Sequence, residues 1–359
     1  MGVDNLMKLT DIDKLVYANK KAQKYKDNDF YTIRSLLGLS DWCWFYIILG
    51  GRDAGKSYAV MEQFLKDWKR KHIPFYWIRL NEASTKKLLS NNAKKLVDAD
   101  LYRKYDLDLK VKGNDVFDHG KKMCTILALS TFYNDKGVAE FDKDFLTDMC
   151  MHYNLALDEF QPEKGQKKVT SDICYAFVNQ LENIVRDTKS RMRIFMIANC
   201  LEEASDILCL FNFIPEEFGR YTLKKKHAVI DYMQPTKRYL ERRKGTVADV
   251  LMPTASTFTN KIEWDKTLCV DKRLIRPTNI IVFDKTTKFT VWDGNIIAPY
   301  NGEKCNSTIA MRPYLDLVFN QEARDQIITL FDTRCLRYKN LISLKKFQHE
   351  ISLIKPRKA

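Results

Sequence analysis

Residues 50–57 most constrain what this chain can fold into, because they fit the glycine-rich pattern G-x-x-x-x-G-K-[ST] without a mismatch. The loop consists of Gly50, Gly51, Arg52, Asp53, Ala54, Gly55, Lys56 and Ser57. Six apolar residues, 44–49, precede the loop and have the composition of a strand that is buried on both faces. Residues 58–70 follow, with apolar side chains at every fourth position, as on one side of a helix. This order favours a phosphate-binding loop over the alternative, a glycine turn that happens to precede a helix.

The residue types in this loop explain how it would bind an anion. Glycine lets the backbone curl so that its N–H groups converge on a triphosphate, and the helix N-terminus adds a favourable potential. Lys56 would reach the β- and γ-phosphates, and the Ser57 hydroxyl would be a ligand of Mg²⁺. The sequence therefore predicts a site for a nucleoside triphosphate with Mg²⁺.

Hydrolysis needs further groups, and two later strands supply them. The apolar segment 153–159 ends in two carboxylates, Asp158 and Glu159. Asp158 would hold Mg²⁺ through its water shell, because Mg²⁺ keeps several waters and takes few carboxylates. Glu159 would polarise the attacking water. Asn199 ends the next strand and could sense the γ-phosphate, although a turn residue at a strand end is the alternative.

Several basic residues lie near these strands. Arg186, Lys189, Arg191 and Arg193 fall between the two strands that end at Glu159 and Asn199. Surface helices often carry such charges, but an arginine that reaches the phosphoryl group of a neighbouring subunit is a recurrent way to stabilise the transition state. Arg79, at the end of an earlier strand, is a weaker candidate for a nucleotide or DNA contact.

Predicted strands and helices alternate over the first part of the chain. The central strands are expected at 44–49, 75–80, 153–159, 193–199 and 228–233. Between them we expect helices at 83–102, 141–149 and 173–185, and short strands at 107–118 and 123–129. This alternation predicts an α/β fold with a mainly parallel sheet.

The pattern of predicted elements changes near residue 251. Three short strands separated by turn sequences predict an antiparallel meander, at 279–283, 289–292 and 296–300. Helices are expected at 314–332 and 341–354. We therefore expect a nucleotide-binding domain over 1–233, a basic linker over 234–250 and a smaller α+β domain over 251–359.

The net charge of +14 is unevenly distributed. Residues 221–359 carry 26 Lys+Arg and 14 Asp+Glu, whereas residues 1–220 carry 34 and 32. A basic second part favours a polyanionic partner, and solubility is the alternative explanation. The basic residues Lys237, Arg242 and Arg243 of the linker are candidate DNA contacts.

Composition also excludes several classes of protein. No apolar run approaches 18 residues and the N-terminal stretch has no apolar core, so we expect neither a membrane span nor a secretory signal. Nine cysteines without a C-x-x-C pair and five dispersed histidines argue against zinc and against a disulfide framework. This composition indicates a reducing compartment, with the thiols as small buried apolar groups.

The order and spacing of these motifs resemble the DNA-packaging ATPases of small phi29-type tailed phages. The matching positions are Gly50–Ser57, Phe75–Arg79, Leu157–Phe160, Val185–Arg186, Arg193 and Ala198–Asn199, with looser matches at Glu241–Lys244, Val291–Trp292 and Arg337–Asn340. The N-terminal arm before the first strand is longer here than in that family.

The resemblance implies both a fold and a set of partners. It implies ATP and Mg²⁺ as cofactors, an ATPase domain of the ASCE type (additional strand, catalytic glutamate), and a C-terminal domain of vestigial RNase H-like type. The expected assembly is a homopentameric ring that drives double-stranded DNA into a procapsid. The portal and packaging RNA would be partners, in the host cytoplasm and transiently at the procapsid vertex.

The resemblance also assigns roles to individual residues. Lys56 and Ser57 would bind ATP and Mg²⁺, and Asp158 and Glu159 would carry out the chemistry. Arg186 would be an arginine finger acting in trans. Lys136 matches a family lysine that reaches the neighbouring subunit.

Two other functions stay open at this point. A large terminase with an active nuclease would need carboxylates holding two metals about 4 Å apart. Asp284 and Asp293 are the candidates, but each borders a turn, where aspartate is common for other reasons. A non-motor nucleotide switch or kinase-like enzyme would leave the basic second part and the Arg186 segment without a purpose.

Overall fold

A computed structural model describes residues 30–39, 42–135, 152–161, 172–185, 192–199, 206–251, 267–313 and 317–355. These residues belong to two compact units, the first comprising the described residues up to 207 and from 215 to 251, the second comprising 208–214 and those from 267 onward. The domain limits expected from the sequence stay a prediction. The arm before residue 30 and the helix expected at 141–149 lie outside the described residues.

Nine strands of the first unit form one sheet. In chain order they are β1 (Phe45–Gly50), β2 (Phe75–Arg79), β3 (Leu109–Lys112), β4 (Asp115–Asp118), β5 (Lys121–Ala128), β6 (Tyr153–Asp158), β7 (Met192–Asn199), β8 (Gly219–Leu223) and β9 (Ala228–Tyr232). Their order across the sheet is β3-β4-β5-β2-β6-β7-β1-β9-β8. Six neighbouring strands of this sheet, β5-β2-β6-β7-β1-β9, are parallel. Antiparallel pairs lie at both edges, and the predicted α/β fold with a mainly parallel sheet is confirmed.

Helices cover this sheet and pack through apolar side chains. The helices up to residue 251 are α1 (Arg34–Leu37), α2 (Lys56–Lys71), α3 (Glu82–Ala93), α4 (Ala99–Lys104), α5 (Ile173–Val185), α6 (Asp206–Leu210), α7 (Lys237–Arg243) and α8 (Val247–Leu251). Residues 208–210 of α6 belong to the second unit. The α2 side chain Phe64 contacts the rings of Phe75 on β2 and Phe195 on β7, at centroid distances of 5.1 and 5.7 Å. The helix after the glycine loop therefore packs on central strands of the sheet, as a buried parallel sheet requires.

Two predicted elements are divided in the structure. The single helix expected at 83–102 is α3 followed by α4, and α3 is itself interrupted near its end, where Ser90 is extended and Asn91 and Asn92 have φ of +53° and +52°. Asparagine tolerates that left-handed conformation better than most residues. The strands expected at 107–129 are three rather than two, because Gly113, with φ +62°, makes an additional turn between β3 and β4. The prediction also missed β8 and α6.

The second unit contains a five-stranded sheet. Its strands are β10 (Pro277–Val282), β11 (Lys288–Trp292), β12 (Ile296–Pro299), β13 (Ser307–Ala310) and β14 (Arg337–Tyr338), in the order β13-β10-β11-β12-β14. The antiparallel meander β10-β11-β12 is confirmed. The strands β13 and β14 were not predicted, and each pairs in parallel with an edge of the meander.

Two helices complete the second unit, α9 (Gln321–Asp332) and α10 (Leu341–Ile354). The prediction for α10 is confirmed, and Asn340 begins this helix by accepting a hydrogen bond from the Ser343 N–H. α9 starts at Gln321 rather than at 314, because the side chain of Asn320 caps it there. Phe347 of α10 packs against the rings of Phe283 and Phe289 in the core, at centroid distances of 5.5 and 5.2 Å.

The thiols of the described cysteines are not joined in disulfides. Burial raises the pKa of the Cys43 thiol to about 12, which keeps this group protonated and inert. None of the described helices is long and apolar enough to cross a bilayer.

A buried ion pair connects α2 to the amino-terminal end of the sheet. Arg193, near the start of β7, is 8% exposed and donates to Asp67 of α2 at 2.5 Å. The Asn154 amide of β6 donates to the same carboxylate oxygen at 2.9 Å. The sequence grouped Arg193 with the candidate trans-acting arginines, but this buried pairing gives it a structural role, at the end of β7 opposite Asn199.

We predict that Asp67→Ala destabilises the first unit by about 3–5 kcal/mol, because it leaves the buried Arg193 guanidinium unpaired. Denaturant unfolding would measure the change. Lys66→Ala is the matched control on the same helix, since Lys66 makes only a partly exposed ion pair with Glu62 and should cost about 0–1 kcal/mol. A similar loss of stability in both variants would contradict a structural role for the buried pair.

Candidate functional site

The carboxyl ends of neighbouring parallel strands meet at one edge of the first sheet. The register pairs Gly50 at the end of β1 with Asn199 at the end of β7. It pairs Asp158 at the end of β6 with a residue two positions before Asn199. Arg79 ends β2 on the other side of β6. Residues that the sequence singled out separately therefore lie together, at the edge where open α/β sheets bind ligands.

The glycine loop has the backbone of an anion-binding turn. Asp53 and Gly55 have φ of +58° and +82°, and α2 begins directly after Gly55. Left-handed residues alternating with ordinary ones turn successive N–H groups toward a common centre. At Gly50 the constraint is one of space, because a Cβ at this position would lie 2.6 Å from the Met233 sulfur and would force that side chain to shift.

Lys56 connects the loop to the end of β7. Its side chain is buried, and its ammonium donates to the carbonyls of Gly50 and Gly51 at 3.0 and 2.6 Å and to Asn199 Oδ1 at 3.2 Å. The structure thus brings Asn199 to the loop lysine. A phosphate in the loop would compete with these neutral acceptors, because hydrogen bonds to charged oxygens are the stronger ones.

Ser57 and Asp158 form the part of the site suited to a metal. The Ser57 hydroxyl donates to Asp158 Oδ1 at 3.0 Å, and Asp158 is 5% exposed. A hydroxyl and a carboxylate this close together are the hard oxygen donors that Mg²⁺ takes from proteins while it keeps several waters. These two residues therefore fit the ion that the sequence predicts.

Arg79 bridges the two carboxylates. One guanidinium nitrogen donates to Asp158 Oδ2 and the other to Glu159 Oε2, each at 2.5 Å. Glu159 has φ +57°, and its side chain is 56% exposed, so it extends from the strand end toward solvent. A contact of Arg79 with nucleotide or DNA stays a prediction. In the structure its guanidinium pairs with both carboxylates, because β2 lies beside β6.

The linker arginines lie against the glycine loop. Arg242 donates to the Asp53 carbonyl at 2.6 Å, and Arg243 to the Arg52 carbonyl at 3.2 Å. Lys237, at the start of the same helix, is exposed. The sequence expected these three residues to contact DNA and gave no sign of contact with the loop. DNA binding by them stays a prediction.

Four of the candidate trans-acting residues lie outside the described part of the chain. Lys136 follows the last described residue of one segment, and Arg186 follows the end of α5. Lys189 and Arg191 lie in the same interval as Arg186. Their roles stay predictions from the sequence.

The fold and this grouping of side chains define the class of protein: an α/β protein with a candidate ligand site at the carboxyl edge of a mainly parallel sheet. The chain belongs to the Podovirus DNA encapsidation protein (Gp16) family, whose model matches residues 26–325. The resemblance to phi29-type packaging proteins is confirmed, and so is the prediction of a function in viral DNA packaging.

Solved structures of packaging motors have a similar fold. The Phi-28 gp11 DNA packaging motor is 14% identical in sequence, with a TM-score of 0.67 over 92% of this chain and 100% of that chain. The bacteriophage Phi-29 viral genome packaging motor assembly is 17% identical, with a TM-score of 0.58 over 91% of this chain and 100% of that chain. At these identities the comparison establishes the shared fold. No curated protein sequence matches the chain significantly.

Proposed function

We propose that this protein is the ATPase of a DNA-packaging motor and couples ATP hydrolysis to translocation of double-stranded DNA into a procapsid. The observation that carries the proposal is the grouping of Lys56, Ser57, Asp158 and Glu159 at one edge of the sheet. A non-motor switch could share this grouping. Membership of a DNA encapsidation family favours the motor.

The order of the central strands supports assignment to the ASCE type of P-loop ATPase. β7 lies between β1, which leads into the loop, and β6, which carries Asp158. An additional strand in this position, together with a glutamate directly after the carboxylate strand, defines that type. Glu159 occupies this position in the sequence, and its exposure to solvent suits a group that must meet a water molecule.

The residues divide the work of hydrolysis among them. The loop N–H groups and Lys56 would bind the phosphates, and Ser57 and Asp158 would hold Mg²⁺. Bound Mg²⁺ would neutralise charge on the β- and γ-phosphate oxygens. Glu159 would orient the attacking water, and Asn199, through its contact with Lys56, is positioned to sense the γ-phosphate. Such positioning and charge stabilisation account for most of the catalysis of phosphoryl transfer.

We predict that Glu159→Gln binds ATP but hydrolyses it about 10²–10⁴-fold more slowly, because an amide keeps the shape and loses the charge that orients water. Phosphate release would measure turnover, and a fluorescent ATP analogue would measure affinity. Glu82→Gln, on an exposed position of α3, is the matched control. A turnover of Glu159→Gln close to that of the unmodified protein would move the catalytic role to another residue.

The proposed assembly is a homo-oligomeric ring, with five subunits as the resemblance implies. Arg186 would act on the site of the neighbouring subunit, and Lys136 is a second candidate for such a contact. The elements that precede them pack together: Gln180 of α5 donates to Asp135 at 3.0 Å, and Asn183 donates to the Phe132 carbonyl at 3.1 Å. These bonds join the described ends of the two segments, at Asp135 and in α5.

We predict that Arg186→Ala alone is inactive but binds ATP, and that mixing it with Lys56→Ala restores part of the hydrolysis. In the mixture the Arg186→Ala subunit keeps an intact nucleotide site, and its Lys56→Ala neighbour supplies the arginine. A finger of this kind contributes about 10³–10⁵ in rate. DNA-stimulated phosphate release would measure recovery, and cross-linking would show co-assembly. A co-assembled mixture without activity would mean that Arg186 does not act in trans.

The second unit is proposed to bind DNA without cutting it. Asp284, the best nuclease candidate, accepts three hydrogen bonds of 2.7 Å from its own turn, donated by Thr286 and Thr287. Burial alone would raise the pKa of Asp284, but these bonds outweigh it and lower the pKa. Asp293 lies at the other end of β11, which has five residues, so the two carboxylates are roughly 17 Å apart. A two-metal site needs about 4 Å between its ions.

The topology of this sheet supports a vestigial RNase H-like domain. Three antiparallel strands in chain order are followed by β13, which pairs in parallel with the first of them, β10. This is the arrangement of the first four strands of an RNase H-like fold. The pairing of β14 with β12 departs from that fold. The basic charge of residues 221–359 supports a nucleic-acid partner, and portal and packaging RNA are proposed as further partners.

We predict that the full chain binds duplex DNA of unrelated sequences with similar affinity, and that binding weakens steeply as salt rises. Each phosphate contact releases counterions, so log K should fall linearly with log salt concentration. Fluorescence anisotropy at a series of salt concentrations would measure the slope. Incubation with Mg²⁺ or Mn²⁺ should leave the DNA intact, and cleavage abolished by Asp284→Ala would support the nuclease alternative instead.

A further inference from the structure

The outward-facing carbonyls of an anion-binding loop need hydrogen-bond donors. When the backbone N–H groups converge on a phosphate, the carbonyls of the same residues point away from it. A partly buried carbonyl without a donor costs free energy comparable to a lost hydrogen bond. Donors fixed in other parts of the chain would hold the loop at residues 50–57 in its binding conformation more firmly than exchanging water could.

The structure supplies these donors from two distant segments. The Arg52 carbonyl accepts from the Tyr239 hydroxyl at 2.9 Å and from Arg243 at 3.2 Å. The Asp53 carbonyl accepts from Arg242 at 2.6 Å. The Ala54 carbonyl accepts from the backbone N–H of Tyr31 at 2.8 Å. Three consecutive loop carbonyls are thus satisfied from outside, two of them by α7.

Side chains of α7 pack against the loop and its neighbours. Tyr239 is 3% exposed and Arg243 is 8% exposed. Arg243 also forms an ion pair with the Asp53 carboxylate at 3.2 Å. The Arg242 guanidinium lies 4.1 Å from the centroid of the Phe30 ring, and a Cβ at Gly55 would lie 3.2 Å from that same side chain.

The connection from the sheet fixes where α7 lies. Met233 follows β9, and its N–H donates to the Leu49 carbonyl of β1 at 2.8 Å. Thr236 then caps α7 by accepting from the Tyr239 N–H at 3.1 Å. Because only a short connection separates the paired strands from the helix, α7 is anchored beside the loop.

We propose that Tyr239, Arg242 and Arg243 are positioning residues that hold the phosphate loop in its anion-binding conformation. They do so by donating to the outward carbonyls of Arg52 and Asp53, and the two guanidinium charges also favour an anion at the loop. This inference rests on the proposed ATP site. It assigns to the nucleotide site two arginines that the sequence assigned to DNA.

The burial of Arg243 decides between these assignments for that residue, whereas Arg242 is exposed. A guanidinium that is 8% exposed and bonded to two loop acceptors cannot reach a DNA phosphate without leaving the loop. An exposed lysine on the same helix, Lys237, has no such constraint. Within α7, Arg243 is therefore assigned to the phosphate loop, whereas Lys237 is still available to contact DNA.

The experiment compares Arg243→Ala, Arg243→Lys and Tyr239→Phe with the control Lys237→Ala in the full chain. We expect Arg243→Ala to weaken binding of a non-hydrolysable ATP analogue about tenfold, because a hydrogen bond to a charged donor is lost. Tyr239→Phe should have a smaller effect, and Lys237→Ala none. In Arg243→Ala the KM for ATP should rise, whereas kcat at saturating ATP should change by less than about threefold. Arg243→Lys should recover part of the affinity for the ATP analogue.

Three controls keep the outcomes distinct. Thermal unfolding without nucleotide identifies any variant that fails to fold, and Tyr239→Phe then carries the test because it removes a single hydroxyl. Unchanged ATP affinity in folded Arg243→Ala and Tyr239→Phe would overturn the inference. The same would follow if Arg243→Ala lost affinity for DNA in the absence of nucleotide but kept affinity for ATP. If the unmodified chain bound no ATP, the proposed function itself would fail.

Discussion

Parallel pairing of β6, β7 and β1 is the constraint on which the site depends. Strands that run in one direction end at one edge, so the residues that follow them converge without any further device. Asp158, Asn199 and the glycine loop meet there because of this pairing. A one-residue slip of β6 would turn the Asp158 side chain to the opposite face of the sheet and away from Ser57. Such a slip would also take the buried Asn154 amide of β6 away from the Asp67 carboxylate. The loss of that buried hydrogen bond makes the slip costly, so the register fixes the chemistry.

How far the site could be predicted depends on how local each signal is. The loop, Asp158 and Glu159 were predictable because each combines an apolar strand with polar residues directly after it in the sequence. The contact of Arg79 with both carboxylates was not predictable, because it depends on β2 lying next to β6 and strand order is not written in any single segment. The contact of Tyr239 with Arg52 spans 187 residues and left no trace in local composition.

The second unit illustrates the same division. Its meander was predicted because turn sequences separate the three strands, and Asp284 makes the side-chain hydrogen bonds that such a turn requires. The strands β13 and β14 are short, and each has a parallel partner far away in the chain, so neither periodicity nor a neighbouring turn could indicate them. Local rules therefore recovered the hairpins of this sheet and missed its edges.

The arginines show why a count of charges can indicate the class of binding partner but not the residues that bind it. The basic excess indicated a polyanionic partner, and each arginine contributed equally to that count. In the folded chain Arg243, which belongs to the basic second part, is paired with Asp53 and bonded to the loop. Charges satisfied in this way add little to an outer field. Any attraction for DNA must therefore come from exposed basic side chains, whose positions only the fold can supply.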